Sequence, residues 1–338
     1  MNKDLEIVDL WKFIASIIVV AIHTSTLNAT SNFFISNIWN SISILAVPFF
    51  FISTGYLSFY KSKSINIGKV KKVLLKFLKI YFICILVYLP ITICYYIYSD
   101  YSFFKSVLYF IRSVLFIGEN YNSWPLWYLL SSIYAFLILY IFCKLRYSEK
   151  KILITSLILF IIGLVITIIS NTNCTIFHIL KIFNYFINIV FGGTGRLLYG
   201  IGYITIGIFL GHNGKDKSIS ILSTAILFII LLITPKTFKI VSAVPFMYFA
   251  FLDIVKFNKK IPLLNHSLLR TMSSVTYFTH MIFYTIIELI VGNYNYKGLV
   301  PFSATLFLTW ICGIIYYHFK SFKNNNENKC KYTLNDNS

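Results

Sequence analysis

The chain has 338 residues and a formal net charge of +19, from 30 Lys and Arg against 11 Asp and Glu; 58% of it is hydrophobic and 19% aromatic. Only 12% is charged, far too little polar surface to coat a soluble globule of this size. The composition excludes a soluble enzyme and points to an all-α integral membrane protein.

Taken in chain order, the apolar runs predict about ten transmembrane helices, at 8–28, 37–60, 73–98, 124–143, 151–171, 195–212, 218–234, 239–255, 272–292 and 301–319. Each is near the ~20 residues that a helix needs to cross a bilayer. The first follows an acidic start, "MNKDLE", with no basic leader and no small-residue cleavage site, so it reads as a retained helix. Two further segments, 102–118 and 175–190, are amphipathic and read as interfacial helices on the outer side, with a shallow re-entrant piece as the alternative. Residues 1–322 form one membrane domain, and 323–338 a short polar cytoplasmic tail expected to be disordered.

The positive charge raises nucleic acid as a partner, and its placement decides against it. With both termini in the cytoplasm, 22 of the 30 basic residues fall on cytoplasmic segments and helix ends, as the positive-inside rule requires. The six cysteines show no C-x-x-C spacing and mostly lie within apolar runs, where a thiol behaves as a small hydrophobe. No disulfide, metal site or tightly bound cofactor is expected.

Against this background the polar residues inside spans stand out. The first span carries Lys12 and His23. Eleven residues at about 100° each return to within about 20° of the start, so both share one face roughly 16 Å apart. Lys12 near the cytoplasmic boundary has a bland reading as a snorkelling residue. His23 lies deeper, where an ionisable group faces a bundle interior or an aqueous cavity, and its bland reading is a packing hydrogen bond.

The second span holds Ser53, Tyr56 and the bending Pro48; the sixth opens at Arg196 and carries Gly207 and Gly211 at G-x-x-x-G spacing, which reads as a helix contact. The ninth carries His280, with Glu288 eight residues on. Two histidines, an arginine and a carboxylate exceed what a lipid-facing bundle needs and point to a polar interior site.

Five stretches carry a resemblance: "DLWKFIASIIVVAIH" (Asp9, Lys12, His23), "VPFFFISTGYL" (Thr54 beside Gly55), "WPLWYLLSSIYAFL", "TGRLLYGIGYITIG" and "MSSVTYFTH". In this order, over about residues 5 to 320, the chain resembles the integral membrane acyltransferase family 3. It departs from that pattern at Lys12, where arginine is common, and at Leu197 after Arg196. Lysine lacks arginine's bidentate fork for a phosphate.

The resemblance implies transfer of an acyl group, commonly acetyl, from acyl-CoA as co-substrate to a hydroxyl of a cell-surface or lipid-linked glycan, at the bacterial plasma membrane. On that reading His23 is the general base and His280 its alternative or a residue that orients the acceptor. Lys12 and Arg196 would bind the acyl donor. Ser53, Tyr56 and Glu288 would stabilise the oxyanion or position the acceptor. The competing readings are a transporter or flippase of a small solute or glycan, and a non-catalytic component of a glycan-assembly complex.

Overall fold

The computed structural model describes residues 6–26, 32–171, 178–212, 221–257, 265–292 and 296–335, with the side chains of 171, 178–181 and 324–335 left aside. All regular structure among the described residues is helical. Among the described residues, seven helices are long and apolar enough to cross a membrane, or eight if Ile182–Phe191 and Arg196–His212, bent by 74°, count as one span.

The expected span 195–212 is among these only as part of the bent pair, and two further expected spans, 8–28 and 218–234, are not among them. α1 (Glu6–His23) carries Glu6, Asp9 and Lys12 within its 18 residues. α10 (Ile221–Ile233) has 13 described residues, and 218–220 of the span expected there fall outside the described residues. Within the expected tail, 323–335 continue α13 (Leu299–Asn335), since extending a formed helix needs no new nucleus, and 336–338 lie outside the described residues.

The chain divides into two compact units, one of residues 1–30 with 258–338 and one of 31–257. In the first, α1, α12 (His266–Val291) and α13 pack together. α12 starts at the N-cap Asn265, whose side chain accepts from the Leu268 N–H, and stops at Gly292 with φ 67°. A left-handed residue there is the common helix terminator.

In the second unit, α9 (Arg196–His212) packs against α3 (Ala46–Phe59), α6 (Leu126–Lys144) and α7 (Glu149–Asn171). Small residues make these contacts possible. A Cβ on Gly207 would overlap the Ile52 carbonyl oxygen of α3, and one on Gly200 would press on Ser131 of α6. The expected glycine helix contact is therefore present, with α3 as its partner. Around it Phe51, Tyr203 and Phe160 interlock, with Phe160 and Tyr203 centroids 4.8 Å apart.

The break in the second expected span lies at Ile44–Leu45, between α2 (Phe33–Ser43) and α3. Pro48 thus sits in the first turn of α3, where a missing N–H costs nothing. α4 (Ile67–Tyr98) starts on the N-cap Asn66 and packs against α6. α5 (Phe103–Arg112) has no buried residue, consistent with an amphipathic surface helix. Of the segment expected at 175–190, residues 178–190 lie in α8 (His178–Phe191) and 175–177 fall outside the described residues.

Replacing Gly207 by valine forces α9 away from α3. Because the clash is with backbone, the expected loss exceeds the ~1–3 kcal/mol of ordinary overpacking. Thermal unfolding of the purified protein in detergent should show a lowered midpoint for Gly207→Val and little change for Gly68→Ala, where only the Asn66 side chain must give.

Candidate active site

The first unit is organised by a carboxylate in an apolar helix. Asp9 of α1 is 2% exposed, and a buried charge is tolerable only when paired and hydrogen-bonded. Arg270, one turn into α12, supplies the pair: its Nε lies 3.0 and 3.1 Å from the two carboxylate oxygens and Nη2 lies 2.5 Å from Oδ2. Two further contacts flank it. Glu6 meets His266 at 3.1 Å, and the Ser273 hydroxyl donates to the Lys12 carbonyl at 2.9 Å. As partners advance together along both helices, α1 and α12 run side by side in the same direction.

This register carries His23, at the end of α1, to His280. Their ring centroids are 5.3 Å apart with the planes inclined by 31°. His280 is fully buried, whereas His23 is partly exposed. The Nδ1 of His280 lies 3.0 Å from the Thr276 carbonyl and 2.9 Å from that of Tyr277. Carbonyl oxygens only accept, so Nδ1 carries the proton, and in the neutral ring Nε2 is the acceptor. That Nε2 is buried and hydrogen-bonds to no described group.

Lys12 sits three turns below His23 on α1, as its spacing requires. Glu288 is buried two turns beyond His280 on α12. The first unit thus holds four of the expected site residues: Lys12, His23, His280 and Glu288.

Ser53, Tyr56 and Arg196 belong to the second unit. Ser53 is buried and its hydroxyl donates to the Phe50 carbonyl of its own helix at 3.0 Å. Tyr56 is buried against Phe251 and Tyr60, each at 5.2 Å between centroids. In this unit hydroxyls meet across helices at Thr54 and Tyr128, 2.7 Å apart, and at Tyr199 and Thr167, 2.6 Å apart.

Arg196 opens α9 with Nη1 3.2 Å from Glu119 Oε2 and its guanidinium 5.2 Å from the Trp127 ring centre. Burial pushes the Glu119 carboxyl up from the usual range, and the charge of Arg196 opposes that shift.

Sequence reasoning missed Arg270, counted only as a cytoplasmic cation, and Glu119. Asp9 was the available signal for the first, because a lone acid in an apolar helix demands a base; which base is decided by packing between helices 261 residues apart.

Residues 5–323 match the acyltransferase domain of family 3. The chain belongs to this family. The family match covers both compact units and all seven expected site residues. Among curated proteins, the chain is similar to two amino-acid racemases of Enterococcus faecalis. One is 33% identical over 223 residues, which is 64% of this chain and 29% of that protein. The other is 34% identical over 122 residues, 35% and 17% respectively. The matched stretch is therefore less than a third of either racemase. No solved structure matches.

Arg270→Ala leaves the Asp9 carboxylate buried without its fork, at an expected cost of about 3 kcal/mol. Asp9→Asn with Arg270→Gln removes both charges and should cost less. Unfolding midpoints of the three proteins in one detergent check this order.

Proposed function

We propose that the chain is a multi-pass membrane acyltransferase that moves an acyl group, acetyl in the simplest case, from acyl-CoA to a hydroxyl of a cell-surface or lipid-linked glycan. The family membership supports the transfer, and the histidine pair supports the chemistry. The observation that carries the proposal is the His23–His280 juxtaposition between parallel helices, with the tautomer of His280 set by two backbone carbonyls.

An alcohol is a weak nucleophile at neutral pH and needs a base as it attacks. In the proposed step, His23 takes the hydroxyl proton while the alcohol oxygen bonds to the thioester carbonyl carbon. The tetrahedral oxyanion then collapses, the carbon–sulfur bond breaks, and the departing thiolate takes a proton from the His23 imidazolium. The ester and free CoA result. His23 is assigned as the base because it is partly exposed, whereas His280 is enclosed.

His280 is the positioning residue: its Nδ1–H is committed to Thr276 and Tyr277, and its Nε2 remains an acceptor beside the His23 ring. Lys12, toward the cytoplasmic boundary in the expected topology, would offer its ammonium to a phosphate of the donor, and Arg196 is the second candidate donor contact. Glu288 is assigned to acceptor positioning. Ser53 and Tyr56 are weaker candidates for the oxyanion, since Ser53 already donates within its own helix and Tyr56 is packed among aromatic rings.

The competing reading is transport of a small solute or glycan on the same scaffold. The curated relatives are named amino-acid racemases, which makes an amino acid the solute to try first.

Reconstitution in vesicles with labelled acetyl-CoA and cell-envelope glycan separates the two. Transfer should fall by roughly 10²–10⁴ in His23→Ala, with a folded protein by its unfolding midpoint; undiminished transfer would remove His23 from the mechanism. Uptake of a labelled amino acid without donor consumption would support transport instead. In His280→Gln, kcat should fall with little change in KM for the donor, because a residue that orients the base acts on the chemical step.

A further inference from the structure

A second polar site lies in the 31–257 unit, on α2, α10 and the turn into α11 (Lys239–Lys256). α10 ends at Ile233, and the chain turns back through Thr234, Pro235 and Lys236 before α11 opens at Lys239. Lys239 is 3% exposed. Its ammonium donates to the Ser41 hydroxyl and lies 3.2 and 3.5 Å from the carbonyls of Leu231 and Leu232. Asn37 ties α2 to the same turn by donating to Leu232 at 2.8 Å.

These contacts use the N–H groups of the ammonium but offset only part of its charge. A helix C-terminus is worth roughly half an elementary charge, and among the described residues no carboxylate pairs with Lys239. The one acid of this helix pair, Asp253, accepts from Thr224 at the far end of α10, at 2.6 Å. Lys236, exposed in the turn, adds a second cation.

An open cavity of about 650 Å³ adjoins both lysines. Ser36 and Asn40 line its polar side, and Phe33 and Ile233 its apolar side. Phe33 is 86% and Ile233 75% exposed to the surroundings.

We propose that this cavity binds the phosphate headgroup of a membrane amphiphile. Two cations with no carboxylate paired to them among the described residues select an anion. Hydroxyl and amide groups from α2, with cations from the facing turn, suit a phosphate with acceptor oxygens pointing in several directions. The exposed Phe33 and Ile233, at a turn between apolar helices, suit attached acyl or prenyl chains and not a free ion in water. The inference concerns binding alone and stands whether or not the chain transfers acyl groups.

The test uses the full chain in dodecyl maltoside, with dioleoyl phosphatidylglycerol and dioleoyl phosphatidylcholine competing for retention by native mass spectrometry. Phosphatidylglycerol should be retained in preference. Lys236→Gln, an exposed change that leaves the fold intact, should reduce the preference about fivefold, the equivalent of ~1 kcal/mol per basic residue near a charged lipid surface. Lys105→Gln, on the surface helix α5, should leave it unchanged.

Equal retention of the two lipids would overturn the proposal, as would an equal effect of the two substitutions, which would signal general attraction between a basic protein and anionic lipid. Inorganic phosphate should leave the unfolding midpoint unmoved. Phosphatidylglycerol should raise that midpoint; an equal rise with inorganic phosphate would mean that the site takes the free anion and would overturn the amphiphile assignment.

Discussion

The carboxylate of Asp9 is the constraint on which the histidine pair depends. A charge at 2% exposure has no water to solvate it, so α1 is stable only in an arrangement that brings a base to that point. Arg270 answers with contacts to both oxygens. A two-toothed contact fixes rotation as well as distance, so it sets the register of α1 on α12. The Ser273 bond to the Lys12 carbonyl lies one turn further in the same register, and His23 beside His280 is its continuation. The electrostatic requirement near one end of α1 is thereby converted into the juxtaposition of two imidazoles at the other.

The second unit is held by shape more than by charge. α9 reaches three neighbours because its glycines let backbone meet backbone, and aromatic rings fill the space between. Such packing resists small displacements. Its polar features are local by comparison: Arg196 and Glu119 pair at the start of α9, and Lys239 closes the end of α10. The absence of a carboxylate partner for Lys239 among the described residues gives that second feature a reading beyond helix capping.

Much of this was legible in the sequence, for physical reasons that also mark where the reading stopped. Composition and span length give an all-helical membrane protein because lipid leaves the backbone few other options. The shared face of Lys12 and His23 follows from helix geometry alone. The glycines of α9 could be read as a contact, but the choice of α3 for Gly207 needs the fold. Ser53 and Tyr56 look chemically available as letters; the structure shows one bonded to its own helix and the other set among rings. Arg270 was hidden for the opposite reason, since a cation near a helix end satisfies a topology rule equally well whether or not it also pairs with a buried acid. The tautomer of His280 depends on carbonyl directions within one helical turn, which no residue pattern records.

The central claim is that the Asp9–Arg270 fork sets the register that brings His23 to His280, and that acyl transfer depends on it. The most direct measurement is the transfer rate of reconstituted Asp9→Arg, Arg270→Asp and the exchanged pair. Each single change places like charges together and should abolish transfer. The exchange restores an opposite pair across the same two helices and should recover at least about tenfold over either single variant, the coupling expected of contacting charges. Full transfer in the single variants, or an exchanged pair no better than they are, would contradict the account.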